Sequence, residues 1–149
     1  MAAIDDIKTR ILDGRREVFD PVRRRWVSLT PEEWVRQQTI VMLHNRYGYP
    51  LELMQVECAI IVSELTKRCD IVVYGSDVKP LIIVECKRQE VNLTQKVADQ
   101  ACRYNLVLNV PYLLLTNGRQ QLCLYADTAA KSLTQVAIPK YECTSASVR

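Results

Sequence analysis

Apolar and polar positions along the chain fall into short runs whose period shifts between two and about 3.6. Residues 1–14 predict a short helix or a frayed end closing at Gly14. Glu17-Val-Phe19 and Arg25-Trp-Val-Ser28 flank Asp20-Pro21 and predict a hairpin. Thr30-Pro31-Glu32-Glu33 has the form of a capping box with proline at the first helical position. The helix it opens is expected to reach about Tyr47 and to stop at Gly48 and Pro50. Met54 to Val62, Cys69 to Tyr74 and Leu81 to Lys87 predict strands, the last two joined around Gly75-Ser76-Asp77. Leu93 to about Leu108 predicts a helix. Tyr112 to Leu115 and Leu122 to Tyr125 predict strands joined through Asn117-Gly118. The tail after Pro139 is expected to be disordered.

The strand ending at Lys87, the helix after it and the strand from Tyr112 make a β-α-β unit, so these two strands should run parallel with a right-handed crossover. The strands before them should pair antiparallel. The fold class is therefore α/β (α+β), a mixed sheet with helices on both faces. No linker, repeat or low-complexity tract interrupts residues 1–149, which read as one domain.

Composition adds limits. With 25% charged and 48% apolar residues, this is an ordinary soluble globular composition. The net charge of +3 is too small to establish nucleic-acid binding. Arg23-Arg24-Arg25, Lys67-Arg68 and Lys87-Arg88 are basic clusters that read equally well as solvated surface. None of the six cysteines forms a C-x-x-C pair, which argues against zinc, and most lie in apolar runs as small buried hydrophobes. With no apolar stretch near 18 residues, a reducing cytoplasmic compartment is expected. His44, the one histidine, falls in a helical segment and reads as structural.

Candidate chemistry gathers around Leu81-Ile-Ile-Val-Glu-Cys-Lys87. Glu85 and Lys87 lie two apart in a strand and so face the same way. Leu81 to Val84 is apolar on both faces, as in a covered central strand. Charged groups at the end of such a strand are costly unless paired or metal-bound. A hairpin symmetric about Asp77-Val78 places Asp70 opposite Glu85, with Cβ atoms about 4.5–5.5 Å apart. Two carboxylates so placed repel, and a hard divalent cation would reverse that. As a bland alternative, Glu85 and Lys87 form a surface ion pair. In the next helix Leu93, Val97, Gln100, Tyr104 and Val107 recur at spacings of 4, 3, 4 and 3, a core-facing stripe. A buried Gln100 needs a partner: either it lies at the edge of the stripe and reaches water, or Gln100 with Tyr104 points at the acidic site.

Together these residues resemble the PD-(D/E)xK nuclease superfamily: Asp70, then Glu85-Cys86-Lys87, then the Q-x-x-x-Y set Gln100 to Tyr104 of its RecB-like branch. The closer resemblance is to the N-terminal nuclease domain of type I restriction enzyme R subunits. Leu29-Thr-Pro-Glu-Glu-Trp-Val-Arg-Gln37, Arg68-Cys-Asp-Ile-Val-Val-Tyr74 and Leu115-Thr-Asn-Gly118 carry it, over about residues 17 to 126. It implies a restriction-endonuclease-like core and a metal-dependent DNA endonuclease using Mg²⁺ or Mn²⁺. Asp70, Glu85 and the backbone carbonyl of Cys86 would bind metal. Lys87 would orient water, and Gln100 with Tyr104 would position Lys87 or a phosphate. The family often adds an acid from the first helix, here Glu33, with Glu32 and Glu57 as alternatives. Cys69 stands where proline commonly precedes the aspartate. The implied partners are DNA, and other restriction-system subunits or a second copy; a membrane is not among them. A catalytically silent nucleic-acid-binding or assembly module with the same fold is the alternative. No GxxxxGK[ST] loop is present, so ATP is not an expected cofactor.

Overall fold

The computed structural model describes residues 3–62, 64–127 and 129–143, with the side chains of all but 62 and 104–108. Three strands come first: β1 (Thr9–Leu12), β2 (Arg15–Asp20) and β3 (Arg25–Ser28), in an antiparallel sheet of that order. The pairing of β2 with β3 is the predicted hairpin. β1 corrects the expectation of a helix or frayed end. Asp13 and Gly14 have φ of 50° and 76° and link Leu12 to its partner Arg15. Two positive φ values in a two-residue loop match the right-handed twist of a hairpin, and Asp-Gly is a sequence that tolerates them.

Helix α1 spans Pro31–Asn45. Thr30 Oγ1 accepts the Glu33 backbone N–H at 3.1 Å, so the predicted cap is formed. The helix gives way to Gly48, with φ of 80°. His44 is buried, its Nδ1 lying 2.8 Å from the Tyr49 carbonyl oxygen, and serves the structural role expected of it.

The main sheet holds β4 (Met54–Val62), β5 (Leu65–Tyr74), β6 (Pro80–Cys86), β7 (Tyr112–Thr116), β8 (Gln121–Asp127) and β9 (Ser132–Val136), in that order. All neighbours are antiparallel except β6 and β7, which run parallel across helix α2 (Gln95–Leu108), as the β-α-β reading requires. Val35, Ile40 and Leu43 of α1 pack with Ile71, Val73, Ile82, Val84 and Leu114. On the other face Ala98 and Cys102 of α2 pack with Val72, Ile83, Leu113 and Leu115. Consecutive residues of β6 thus enter different cores, which is why its apolar run is unbroken. Each fully buried Ile or Leu contributes about 1.5–3 kcal/mol of hydrophobic stabilisation.

Two features escaped the sequence reading. Strand β9, Ser-Leu-Thr-Gln-Val, is largely polar and half-exposed, so it carries little hydrophobic signal. The start of the tail after Pro139, expected to be disordered, docks instead through Tyr141. Tyr49 Oη donates to the Pro139 carbonyl at 2.7 Å, the Tyr141 N–H donates to the Tyr47 carbonyl at 2.8 Å, and the rings of Tyr49 and Tyr141 meet edge-on at 5.7 Å. The rest of that expectation, residues 144–149, lies outside the described residues.

All six cysteines are free thiols; Cys69, Cys86, Cys102 and Cys123 are buried and Cys143 is exposed. Burial pushes the Cys69 thiol up to about 12 and the Cys123 thiol up to about 11. The fold therefore favours the neutral thiols. Their contribution is complete below the unfolded thiol range and is lost as pH rises through about 11 to 12. A thiol titration with an aromatic disulfide at pH 8 is expected to find Cys143 fast and the four buried thiols slow. Rapid reaction of all six in the folded protein would contradict this packing.

Candidate active site

The site is built on the β5–β6 hairpin. Val73, Val72 and Ile71 pair with Ile82, Ile83 and Val84, the predicted register. The one shift, between Val73 and Tyr74, falls on the turn side and leaves the pairing toward Asp70 undisturbed. One further step along this register brings Asp70 level with Glu85.

The two side chains take different cations. Asp70 Oδ2 accepts the Cys86 backbone N–H at 2.7 Å, and Oδ1 accepts Arg36 Nη2 at 3.2 Å. Glu85 Oε1 lies 2.9 Å from Lys67 Nζ. The pair therefore does not share one protein cation. Like charges at facing positions repel, and each carboxylate is offset by a basic group from a different element.

Strand β4 is irregular beside the Arg36–Asp70 contact. Glu57 lies between the pairs Val56–Ile71 and Cys58–Cys69, opposite Asp70, and has φ of 51°. That conformation is uncommon for glutamate and costs about 1–3 kcal/mol. It coincides with a contact between Glu57 Oε1 and Arg36 Nη1 at 3.0 Å. Arg36 Nη1 also donates to Glu33 Oε1 at 2.6 Å, so three carboxylates converge on one guanidinium that is 6% exposed. Arg23 extends the network, donating to Asp20 at 2.6 Å and to Glu33 at 2.9 Å. Gln37 Nε2 holds the second oxygen of Glu33 at 3.0 Å. Burial by itself would lower the Arg36 pKa; the charge of Glu33, the hydrogen bond that Arg36 donates to Asp70 and the charge of Glu57 outweigh it and raise it. Arg23 is raised in the same way, against burial, by Asp20 and Glu33. An open groove of about 520 Å³ exposes the edge of this network, lined by Arg23, Thr30, Glu32, Glu33, Glu57 and Arg88 among others.

On the α2 side a smaller cavity of about 140 Å³ is lined by Lys67, Glu85, Lys87, Val97, Gln100, Ala101 and Leu115. Glu85, Lys87 and Gln100, singled out from the sequence, thus line one cavity. Lys87 is half-buried, and its backbone N–H donates to the Thr116 carbonyl at 2.8 Å. Gln100 is exposed, so the core-facing reading is corrected and the stripe-edge one holds. The buried face of α2 carries Ala98 and Cys102, with Leu93 and Ala101 packed beside them. Helical spacing alone could not tell this stripe of small residues from one centred on Gln100. Tyr104 is part of α2, and its side chain lies outside the described residues. The Cys86 thiol is in the α1-side core. Glu33 makes only half of the capping box: its N–H is capped, and its carboxylate serves the arginines and Gln37.

Arg36, Arg23 and Lys67 are the participants that sequence reasoning missed. Arg23 and Lys67 stand in basic clusters that read equally well as solvated surface, so neither is singled out. Arg36 had a usable signal. Glu33, Arg36, Ile40 and Leu43 recur at helical spacing, which places an ion pair on the buried stripe of α1. Among the described residues no three His, Cys, Asp or Glu side chains gather as a metal-holding group. Asp70 and Glu85, whose side chains are 22% and 13% exposed, carry oxygens of the hard kind that suits a divalent cation, and Cys86 follows Glu85 directly.

Residues 31–139 match the family model described as the type I restriction enzyme R protein N terminus. The chain belongs to this family. No curated protein and no solved structure matches it. The R-protein match begins with the first residue of α1 and ends beyond β9. It takes in Arg36, Lys67, Asp70, Glu85, Lys87 and Gln100, and leaves the β1–β3 sheet, with Asp20 and Arg23, outside. No helix among the described residues is long and apolar enough to cross a membrane.

Proposed function

We propose that this restriction-enzyme domain is a metal-dependent DNA endonuclease of PD-(D/E)xK type. The observation that carries the reading is the cavity in which Glu85, Lys87 and Gln100 meet, with Asp70 level with Glu85 on the neighbouring strand. Donor chemistry fits Mg²⁺ or Mn²⁺, since two mostly buried carboxylates offer hard oxygens where positive charge is needed. Asp70, Glu85 and the Cys86 carbonyl would hold the ion. When bound, it would lower the pKa of a water and offset charge at the scissile phosphate. Lys87 holds the attacking water or offsets charge on the phosphate from the same wall. Gln100, carried by α2, orients Lys87 or the phosphate, and Tyr104 one turn on supports it. Glu33 acts through Arg36, which it shares with Asp70. DNA is the substrate, and double-strand cutting needs two such sites, from a second copy or from other restriction-system subunits.

One set of contacts favours a second reading, a catalytically silent nucleic-acid-binding or assembly module. Asp70 and Glu85 already have Arg36 and Lys67 as counter-charges. Metal binding separates the two. At 100 times its dissociation constant, Mn²⁺ is expected to stabilise the wild type by about 2.7 kcal/mol, or roughly 5–10 °C in Tm. Asp70→Asn should show little of that shift. Plasmid incubated with wild type and Mg²⁺ or Mn²⁺ should be cut, and EDTA should stop it. No Tm shift and no cleavage would favour the silent module.

A further inference from the structure

We infer that the β1–β3 sheet, which lies outside the family match, is a surface that binds the backbone of duplex DNA through Arg15, Arg16, Arg24 and Arg25. The inference rests on the DNA reading above. Residues 9–28 hold six arginines against Asp13, Glu17 and Asp20, a net charge of +3 that equals that of the whole chain. The remaining residues are neutral in sum, so the surplus charge belongs to this one small sheet. Two of the six arginines are used within the fold. Arg10 pairs with Glu17 at 2.7 Å and lies over the Trp26 ring at 4.2 Å, and Arg23 joins Asp20 and Glu33. Those contacts take up Glu17 and Asp20, and leave four exposed arginines against the exposed Asp13. None of the four has an ion pair among the described residues. They stand in adjacent pairs at the two ends of β2, Arg15-Arg16 after the Asp13-Gly14 turn and Arg24-Arg25 at the turn into β3. Like charges held side by side repel, and a polyanion laid across them reverses that. The DNA duplex is such a polyanion, with one charge per about 1.7 Å of its axis. The surface also adjoins the proposed site. Arg23, from the same turn as Arg24, enters the Glu33–Arg36–Asp70 network, and Val27 and Ser28 of β3 line the groove of about 520 Å³ together with Glu57 and Arg88. A duplex held by the four arginines would lie beside that groove.

The test uses the full chain in EDTA, so that binding is read without cleavage. A short fluorescent DNA duplex is titrated over a range of salt with wild type, Arg15→Gln/Arg16→Gln, Arg24→Gln/Arg25→Gln and the quadruple variant. A control, Arg46→Gln/Lys79→Gln/Lys131→Gln/Lys140→Gln, removes the same charge from exposed positions elsewhere. Each lost phosphate contact should reduce the slope of log K against log salt by about one and weaken binding at every sequence alike. Each double variant is therefore expected to lose about one to two from the slope, and the quadruple variant about two to four, with binding at low salt weaker by about 10-fold or more. The control should keep the wild-type slope to within about one. A slope unchanged in the β1–β3 quadruple variant, or lowered equally in the control, would overturn the inference and leave the DNA reading intact. Polyglutamate binding wild type as tightly as the duplex does, and losing as much in the quadruple variant, would assign the surface to an acidic protein partner and overturn it too. Failure of wild type to bind DNA at any salt would remove both.

Discussion

Arg36→Leu is expected to destabilise the fold by about 3 kcal/mol, the lower end of the range of about 3–5 kcal/mol for breaking a buried ion pair from one side. The reasoning starts from what remains. Without the guanidinium, Glu33, Glu57 and Asp70 lose a shared cation to which they lie within 2.6 to 3.2 Å. Glu33 keeps Arg23 and Gln37, and Asp70 keeps the Cys86 N–H, while the Glu57 side chain is 45% exposed and can turn to water. Those remaining partners hold the loss to the low end. Urea denaturation with unchanged m-value measures it, and Tm should fall by roughly 6–12 °C. Arg36→Lys should recover only part, because an ammonium cannot span three carboxylates as a planar fork does. A loss below about 1 kcal/mol for Arg36→Leu would place the network in the weak class of surface ion pairs.

Lys87→Ala carries the largest functional effect. Under the proposed mechanism it should lower plasmid cleavage by about 10²–10³-fold, the usual loss on removing one preorganised group that offsets developing charge. The fold should tolerate the change. Lys87 is half-buried beside a cavity, and its strand contact to Thr116 is made by the backbone N–H, which alanine keeps. Cleavage rates measured with equal Tm therefore report on chemistry. Equal rates for wild type and Lys87→Ala would sink the catalytic role. The two predictions are complementary: Arg36 should act on stability first, and Lys87 on rate alone.

Much of the scaffold was legible because short-range rules govern it. The Thr30 cap, the proline at the start of α1, and the apolar runs of β4 and β6 are local signals, and their boundaries agree with the structure within a few residues. The β5–β6 register followed from the turn and the two-residue period of the strands. Misreadings fell where local signals are silent. In the N-terminal segment the Asp13-Gly14 turn outweighed a helical reading of its apolar residues. Strand β9 is held by pairing with β8, not by its own hydrophobicity. Pro139 and Tyr141 dock on tyrosines ninety or more positions earlier in the chain, Tyr49 and Tyr47.

For the site, sequence by itself determined which groups stand near one another along the hairpin. Asp70, Glu85 and Lys87 are placed by strand period and register, both properties of adjacent residues. Only the tertiary structure decided which charge each one meets. Arg36 comes from a helix 34 positions before Asp70, and Lys67 reaches Glu85 from the far part of β5. Gln100 reaches the cavity as an exposed residue because the packing of Ala98 and Cys102 sets the rotation of α2. Coulomb energy depends on distance in space and on local dielectric, and neither is a function of spacing along the chain.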